Sequence, residues 1–283
     1  MASPGPVAAL APTGSAVRGY VRLVHPFPAL LVTAVTVAMA FAADRSPETG
    51  VLLQLGLGML LYQFAIGAAN DIVDVTDDAE TKPWKPLVRG DLGPDQATRF
   101  AVLVALAGLA LTFSLPLVPW LLGVGGLVCG LAYDFGLKRT RLSWLPLAIA
   151  LPLVPAWVFS ALDAWNPLLW WLFPAGIMAG LAVHLANELP DATSGPAHGG
   201  MAHRMGARRA YGAAMGALGV SVSICVVALA LTAPFQAGMA AIIGAAAFIS
   251  GPRATRVLGR NGLFGVVAMT TAMLGVVFVS AAS

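Results

Sequence analysis

Charge is scarce in this sequence: 10% of its residues are Asp, Glu, Lys or Arg, whereas a soluble domain usually carries about 25%. Cysteine is almost absent, with two residues among 283, which excludes a scaffold built on disulfides or on cysteine-rich metal sites. Both Cys129 and Cys225 lie in apolar stretches, and we expect them to be small core residues.

Long uncharged stretches take the place of the missing charge, and 58% of the residues are hydrophobic. A helix needs about 20 apolar residues to cross a bilayer. Single spans fit 27–43, 51–69, 142–162, 164–187 and 261–283, while 100–133 and 210–252 hold two spans each. The pattern predicts an all-α integral membrane protein with nine transmembrane helices, because a soluble core could not bury them all.

The first 17 residues differ in composition from the rest of the chain. Residues 1–17 are mostly Ala, Pro, Gly and Ser, without charge or a long apolar core. This is unlike a secretory signal, and we expect a disordered cytosolic tail. Residues 18–283 are expected to form a single nine-helix domain.

The basic residues indicate an orientation. Of the 16 Lys and Arg residues, only Arg45 falls on the side opposite the N-terminus if all nine spans cross. The others lie in the N-terminal region and in the loops 70–99, 134–141, 188–209 and 253–260. The positive-inside rule therefore predicts that the N-terminus and these loops are cytoplasmic. Nucleic-acid binding is not expected, because no soluble module presents the charge.

An acidic motif ends the second predicted span. On a continued helix, Asp71, Asp74 and Asp78 fall within an arc of about 60°, directly after Asn70. Three carboxylates on one face at a helix C-terminus repel each other and favour a bound cation. Oxygen ligands suit Mg²⁺, which typically binds carboxylates together with substrate phosphates.

A second, similar motif ends the sixth predicted span. Asn187 and Glu188 are followed by Asp191, so that Asn-acid-x-x-Asp recurs at the same membrane face. The recurrence suggests two half-sites that face one cavity. His184 shares this helical face, and we expect it to be a packed or hydrogen-bonded residue rather than a ligand.

Cations follow both acidic motifs and the fourth span. Those placed to hold a diphosphate are Lys82, Lys85, Arg89, Lys138, Arg139 and Arg204. Ordinary positive-inside charge remains the alternative for most of them. Carboxylates, cations and apolar helices together favour a site for a lipid diphosphate.

These residues resemble the UbiA superfamily of intramembrane prenyltransferases. Its NDxxDxxxD motif is matched in full from Asn70 to Asp78, and Lys85-Pro86-Leu87 is similar to its Arg-Pro-Leu. Tyr133 with Lys138-Arg139, and Arg22 before His25-Pro26, resemble further family segments. The resemblance implies nine transmembrane helices around a central cavity.

The second motif departs from the family's DxxxD, because Gly195 stands where the second Asp is expected. The usual basic segment is also replaced around His198-Gly199-Gly200. We hypothesise that Glu188 substitutes for the missing carboxylate.

The resemblance implies Mg²⁺-dependent transfer of a prenyl group from a prenyl diphosphate to an aromatic or quinone-precursor acceptor within the bilayer. It assigns Asp71, Asp74, Asp78 and Asp191 to catalysis and to Mg²⁺ binding, and by our hypothesis Glu188 is a further Mg²⁺ ligand. The residues expected to bind substrate are Arg22, Asn70, Lys82, Lys85, Arg89, Tyr133, Lys138, Arg139, Asn187 and Arg204. Tyr62, Phe64 or Tyr133 are candidates to stabilise the allylic cation.

Two other functions remain open. A membrane terpene cyclase of the same superfamily would ionise the same donor without an acceptor. A secondary transporter is disfavoured, because its acids should lie near the middle of the membrane and these lie at span ends.

Overall fold

The computed structural model describes residues 13–190 and 200–282. Helices account for all the regular secondary structure in this part of the chain. The α-helices are α1 Thr13–Leu23, α2 Pro26–Ala43, α3 Thr49–Val73, α4 Val75–Thr81, α5 Pro94–Thr112, α6 Leu117–Phe135, α7 Leu145–Ala161, α8 Leu172–Glu188, α9 Met201–Met205, α10 Ala207–Leu229, α11 Pro234–Leu258 and α12 Asn261–Val279.

The prediction of an all-α, multi-pass membrane protein is confirmed. Eight of the described helices are long and apolar enough to cross a bilayer, if the 3-10 turn Pro167–Trp171 is counted with α8. The remaining predicted span is α7, which has 17 residues, the lower limit for a crossing helix. Pro152 and Pro155 lie inside α7, so its backbone hydrogen bonding is incomplete. Nine helices is thus the approximate count within the described ranges.

Helix boundaries follow the local signals in the sequence. The long stretch 100–133 divides between α5 and α6, where Pro116 precedes the first residue of α6. The second long stretch divides at Pro234, the first residue of α11. Proline is favoured at the first turn of a helix, where its missing N–H is not needed.

A short amphipathic helix precedes the first span. Helix α1 begins at Thr13, so residues 13–17, expected to be part of a disordered tail, are helical. Leu23 is fully buried, and the Tyr20 ring lies 5.2 Å from that of Phe100 on α5. Contacts with the bundle hold α1 in place. Residues 1–12 lie outside the described residues.

Each spanning helix packs against two or more neighbours, and seven of them line one large cavity. Helix α7 lies between α6 and α8, and α8 also packs against α10 and α12. Side chains from α2, α3, α6, α7, α8, α10 and α12 line the cavity, whereas those described on α5 and α11 do not. The close approach of α7 and α8 depends on Gly180, where a Cβ would lie 2.6 Å from Ala148 Cα.

Candidate active site

The cavity has a volume of about 750 Å³, within the usual range for small-molecule sites. Its wall is polar where α3, α6 and α8 end and apolar along the remaining length of the helices. The polar wall consists of His25, Asn70, Asp74, Asp77, Asp78, Lys82, Lys85, Tyr133, Asp134, Lys138, Arg139, Asn187, Glu188 and His203. One elongated cavity therefore presents charge at one end and hydrocarbon beyond it.

Lys85 joins the two outer carboxylates of the first acidic motif. Its ammonium nitrogen lies 2.7 Å from Asp71 Oδ1 and 2.5 Å from Asp78 Oδ2. Asp71 and Asp78 are 1% and 2% exposed, so both charges depend on their partners. Lys82 adds a second contact to Asp78 at 3.3 Å.

Lys85 remains protonated in this environment. Burial by itself would lower its pKa, but the opposing charges and hydrogen bonds of Asp71 and Asp78 outweigh it, so its pKa is raised above the ordinary value. A permanent cation therefore stands between two carboxylates at the polar end of the cavity.

The middle carboxylate of the motif has different partners. Asp74 Oδ1 lies 2.6 Å from the Lys138 ammonium and 3.8 Å from the Arg139 guanidinium. The Asn70 amide donates to Asp74 at 3.2 Å and to Asp134 at 2.9 Å. The motif of α3 and the short loop after α6 thus form one network of alternating charges.

The predicted continuous helix through the motif is interrupted. Asp74 ends α3 and begins α4, with φ −93° and ψ 3°. These angles lie in the bridge region that is frequent at active sites. Asp74 and Asp78 therefore line the cavity, whereas Asp71 is buried against His25 and Lys85 and does not line it. The three acids lie around a local break rather than along one uninterrupted helical face.

His25 also belongs to the site, although its sequence context indicated only the start of a helix. Its Nε2 lies 2.8 Å from Asp71 Oδ1, across 46 residues of sequence. It caps α2 with a left-handed backbone, φ 48°, which costs a non-glycine residue about 1–2 kcal/mol. In the sequence, the only indication of this role was that His25 immediately precedes Pro26, the first residue of α2.

The second acidic motif is only partly described. Asn187 is exposed and lines the cavity, while Glu188 accepts a hydrogen bond from the Ala202 backbone N–H at 3.0 Å. Asp191 and Gly195 lie outside the described residues, as does the segment His198-Gly199. The proposed Glu188 substitution therefore stays a hypothesis.

His184 is a packed, hydrogen-bonded residue, as expected. It is fully buried, and its Nε2 lies 2.9 Å from Ser143 Oγ. Its ring meets Tyr133 edge-on at 5.9 Å. These contacts connect α8 to the segment just before α7.

Three predicted substrate-binding residues do not line the described cavity. Arg22 donates to the Trp84 carbonyl at 3.5 Å, and Arg89 pairs with Asp91 at 3.3 Å. Arg204 is exposed on α9, where His203 lines the cavity instead. The predicted role of these arginines has no support from this arrangement, because sequence proximity to a motif does not fix side-chain direction.

Asp77 and Asp134 were missed as site residues and lie within it. Asp77 Oδ2 accepts from the Arg139 guanidinium at 2.8 Å. Asp134 is 2% exposed and lies at the end of α6. The only sequence signal for Asp134 was that an acid at the end of α6 precedes the basic pair Lys138-Arg139 by one helical turn.

The donor set fits a hard cation such as Mg²⁺. All ligands of the first motif are oxygens, and Asp71 Oδ2 is buried without a hydrogen-bond partner among the described residues. No group of three His, Cys, Asp or Glu side chains is preassembled for a metal within 13–190 and 200–282, since each carboxylate instead contacts Lys, Arg or His. Binding of a metal cation would therefore replace some of these ion pairs with carboxylate–metal contacts.

The sequence of most of the chain matches one known family. The model of the UbiA prenyltransferase family matches residues 30–262. The chain belongs to the UbiA prenyltransferase family. In this UbiA-family chain, Asn70, Asp74 and Asp78 of the NDxxDxxxD motif line one end of the central cavity, and Asp71 pairs with Lys85, which lines the same end.

Curated relatives of this UbiA-family chain are prenyltransferases by name. Protoheme IX farnesyltransferase 1 of Pseudomonas fluorescens is 29% identical, over 62% of this chain and 63% of that protein. The 4-hydroxybenzoate octaprenyltransferase of Photobacterium profundum is 28% identical, over 60% of this chain and 61% of that protein. The match thus spans less than two thirds of either relative.

Solved structures share the fold at low sequence identity. A UbiA homologue from Archaeoglobus fulgidus bound to GPP and Mg²⁺ has a TM-score of 0.72 and 16% identity, covering 93% of this chain and 99% of that one. An apo UbiA homologue from Aeropyrum pernix has a TM-score of 0.67 and 20% identity, covering 87% and 95%. The UbiA-family architecture of this chain is therefore shown along most of its length.

Proposed function

We propose that this protein catalyses Mg²⁺-dependent transfer of a prenyl group from a prenyl diphosphate to an aromatic or quinone-precursor acceptor in the membrane. One observation carries the proposal: a single cavity joins a network of carboxylates and cations to a long apolar wall. An amphiphile with an anionic head and a hydrocarbon tail matches both ends. The names of the relatives and the Mg²⁺ and GPP in the Archaeoglobus fulgidus structure support the same chemistry.

The carboxylates would hold the metal. Asp71, Asp74 and Asp78 are the proposed ligands of the first half-site, supported by Asn70, and Glu188 with Asp191 would serve the second. When bound, Mg²⁺ supplies Lewis-acid stabilisation of the charge that develops on the departing diphosphate.

The cations would bind the diphosphate oxygens. Lys82, Lys138 and Arg139 line the polar end, and each can donate charge-assisted hydrogen bonds to phosphate. Lys85, held between Asp71 and Asp78, would keep these carboxylates in place while phosphate enters.

The bond change is a substitution at the allylic carbon. The carbon–oxygen bond of the donor breaks, the diphosphate keeps the electron pair, and an electron-rich acceptor carbon bonds to the cation and then loses a proton. Tyr133, Phe27 and Phe264 are the aromatic residues of the described cavity wall. Phe64 does not line the cavity, and Tyr62 is buried against Thr112 at 2.7 Å, so of the three candidates for cation stabilisation only Tyr133 is in place.

The orientation proposed from the basic residues places this polar end at the cytoplasmic face. Lys82, Lys85, Lys138 and Arg139, which belong to two of the loops proposed to be cytoplasmic, line the same cavity. A water-soluble acceptor or cation would reach the carboxylates from the cytosol, while the donor chain lies in the apolar part.

The experiment is product analysis of purified protein in lipid nanodiscs with prenyl diphosphates and Mg²⁺, with and without 4-hydroxybenzoate, another phenolic acid or protoheme. The proposal predicts a prenylated acceptor. A cyclic hydrocarbon or alcohol formed without acceptor would instead establish the terpene cyclase reaction. Intact donor under every condition would contradict the proposed chemistry.

A further inference from the structure

The outward surface of helix α1 combines apolar and basic side chains. Val17 and Val21 are 65% and 56% exposed and lie one turn apart. Arg18 and Arg22 are also exposed and one turn apart. Because successive helical residues are rotated by about 100°, the two arginines flank the two valines. Such a surface is typical of a helix that lies in the membrane–water interface.

The opposite face of α1 packs closely against the bundle. Gly19 and Leu23 are buried, and a Cβ at position 19 would lie 2.8 Å from Leu92 Cγ. A Cβ at Gly67 of α3 would lie 3.3 Å from the Leu23 carbonyl oxygen. These contacts fix the rotation of α1, so its valines point away from the protein.

The same contacts place α1 beside the ends of two spanning helices. The Tyr20 ring lies 5.2 Å from Phe100, which is six residues, or about 9 Å, beyond the first residue of α5. Gly67 lies equally far before the last residue of α3. Val102 and Leu103, next along α5, are 50% and 65% exposed. The outward surface of α1 is therefore continuous with the apolar surface that α5 presents to lipid.

An exposed tryptophan lies next to this surface. The Arg22 guanidinium donates to the Trp84 carbonyl oxygen at 3.5 Å, and Trp84 is 60% exposed. Tryptophan is enriched where the bilayer meets water, because its ring has both apolar and polar parts. The apolar stem of an arginine can likewise lie along hydrocarbon while its charged group reaches the head groups. Both residues indicate the level of the lipid head groups.

We propose that α1 is an interfacial anchor that binds anionic phospholipids. Arg18 and Arg22 contact the phosphate head groups, while Val17 and Val21 enter the boundary of the acyl chains. The arginines are complementary to the negative potential of an anionic leaflet, which attracts basic segments next to a membrane span. Helix α1 ends two residues before His25, so the anchor also supports the turn that holds His25 in the site. This inference does not depend on the proposed reaction.

Nitroxide accessibility in lipid nanodiscs tests the position of the anchor. A spin label on Val21→Cys, with Cys129 and Cys225 replaced by alanine, should be relaxed more by oxygen, which concentrates in lipid, than by a water-soluble nickel complex. Val17→Cys serves as the second variant if Val21→Cys does not fold. Glu80→Cys on α4 is the aqueous reference, because Glu80 is an exposed charged residue. The same preference for the nickel complex on α1 as at position 80 would overturn the interfacial placement.

Hydrogen exchange of the α1 amides tests the preference for anionic lipid. In nanodiscs of phosphatidylcholine mixed with phosphatidylglycerol, these amides should exchange at least about fivefold more slowly than in phosphatidylcholine alone, the factor typical of one basic residue at an anionic surface. Arg18→Gln combined with Arg22→Gln should abolish the difference.

Arg208→Gln combined with Arg209→Gln is the matched control, because both arginines are exposed at the start of α10. This control should keep the wild-type difference. Equal exchange of wild-type α1 in the two lipids would overturn the proposal. Loss of the difference in the control as well would assign the effect to net charge rather than to α1, and would equally contradict it.

Discussion

His25 shows how a site depends on a residue whose role is not visible in the local sequence. Its ring contacts Asp71 at 2.8 Å, and its backbone has positive φ. A strained conformation at the edge of a site persists only where surrounding contacts determine it. His25 is therefore assigned to positioning of the Asp71 carboxylate.

Replacing His25 tests that role. His25→Ala should raise the Mg²⁺ concentration for half-maximal diphosphate release by about tenfold or more, because residues that orient metal ligands typically have effects of this size. His25→Gln should restore part of the loss, since its amide can still donate to Asp71. Asp163→Ala is the control for backbone strain, because Asp163 also has positive φ, 52°, and lies at the other end of the bundle.

Titration of activity against Mg²⁺ is the measurement. If His25→Ala and Asp163→Ala have the same Mg²⁺ dependence as the wild type, His25 is only a helix-cap residue.

Glu188 combines a backbone contact with a place on the cavity wall. Its carboxylate accepts the Ala202 N–H at 3.0 Å and lies 3.4 Å from His184 Nε2. Glu188→Gln keeps an acceptor oxygen but removes the charge. If Glu188 replaces the acid missing at Gly195, this variant should melt close to the wild-type Tm yet need more Mg²⁺ for half-maximal activity.

Glu188→Ala should in addition lower the Tm, because the buried Ala202 N–H loses its partner, at a cost of about 1–3 kcal/mol. Thermal melts and Mg²⁺ titrations of both variants separate the two roles. A Glu188→Gln protein with unchanged Mg²⁺ dependence would remove Glu188 from the proposed metal site.

At the residue scale, the sequence predicted which chemical groups form the site better than it predicted their contacts. The acids of the first motif and the cations Lys82, Lys85, Lys138 and Arg139 lie together as expected. The pairing of Lys85 with Asp71 could not be predicted, because it depends on the turn after α4. The directions of Arg22 and Arg89 depend on similarly local packing.

At the scale of helices, close packing of α7 on α8 keeps the cavity wall in place. A Cβ at position 180 would lie 2.6 Å from the Leu147 carbonyl oxygen as well as from Ala148 Cα. These are backbone atoms, which cannot rotate away as a side chain can. The two helices can approach this closely because residue 180 is glycine, a common feature of membrane helix pairs.

Gly180→Ala should therefore destabilise the protein by about 1–3 kcal/mol. Gly212→Ala is the matched control, because Gly212 is also helical and a Cβ there meets nothing within 4 Å. That control should be neutral or stabilising by up to about 1 kcal/mol, since alanine is the better helix former. Thermal unfolding in detergent compares them, and equal melting temperatures would mean that α7 and α8 can separate without cost.

The helices that a long run of apolar residues indicated were predicted correctly. The two long stretches each divide into two helices as predicted, with Pro116 and Pro234 at the starts of α6 and α11. The interruption at Asp74, the helix α1 from Thr13 and the shortness of α7 were not predicted. These features depend on tertiary contacts and on helix-interior prolines, which a count of apolar residues does not weigh.

At the scale of the whole molecule, the proposed orientation follows from the distribution of charge. Arg45 and Arg208 are exposed at opposite ends of the bundle if the spans cross as proposed. Single cysteines at these positions, in a background with Cys129 and Cys225 replaced by alanine, should react from opposite sides of intact cells. We expect an impermeant maleimide to label Arg45→Cys from outside and Arg208→Cys only after permeabilisation. Labelling of both cysteines from outside would contradict the proposed topology.

The central claim is that the carboxylates at the polar end of the cavity bind the Mg²⁺ that is required for ionisation of a prenyl diphosphate. Diphosphate release from geranylgeranyl diphosphate, titrated with Mg²⁺ and with acceptor present, tests it most directly. Asp71→Asn or Asp74→Asn should reduce the release by at least about 100-fold while the protein stays folded. Asp95→Asn, an exposed acid in the first turn of α5, should behave as the wild type. Near wild-type release by the folded Asp71 and Asp74 variants, or release independent of Mg²⁺, would contradict the account.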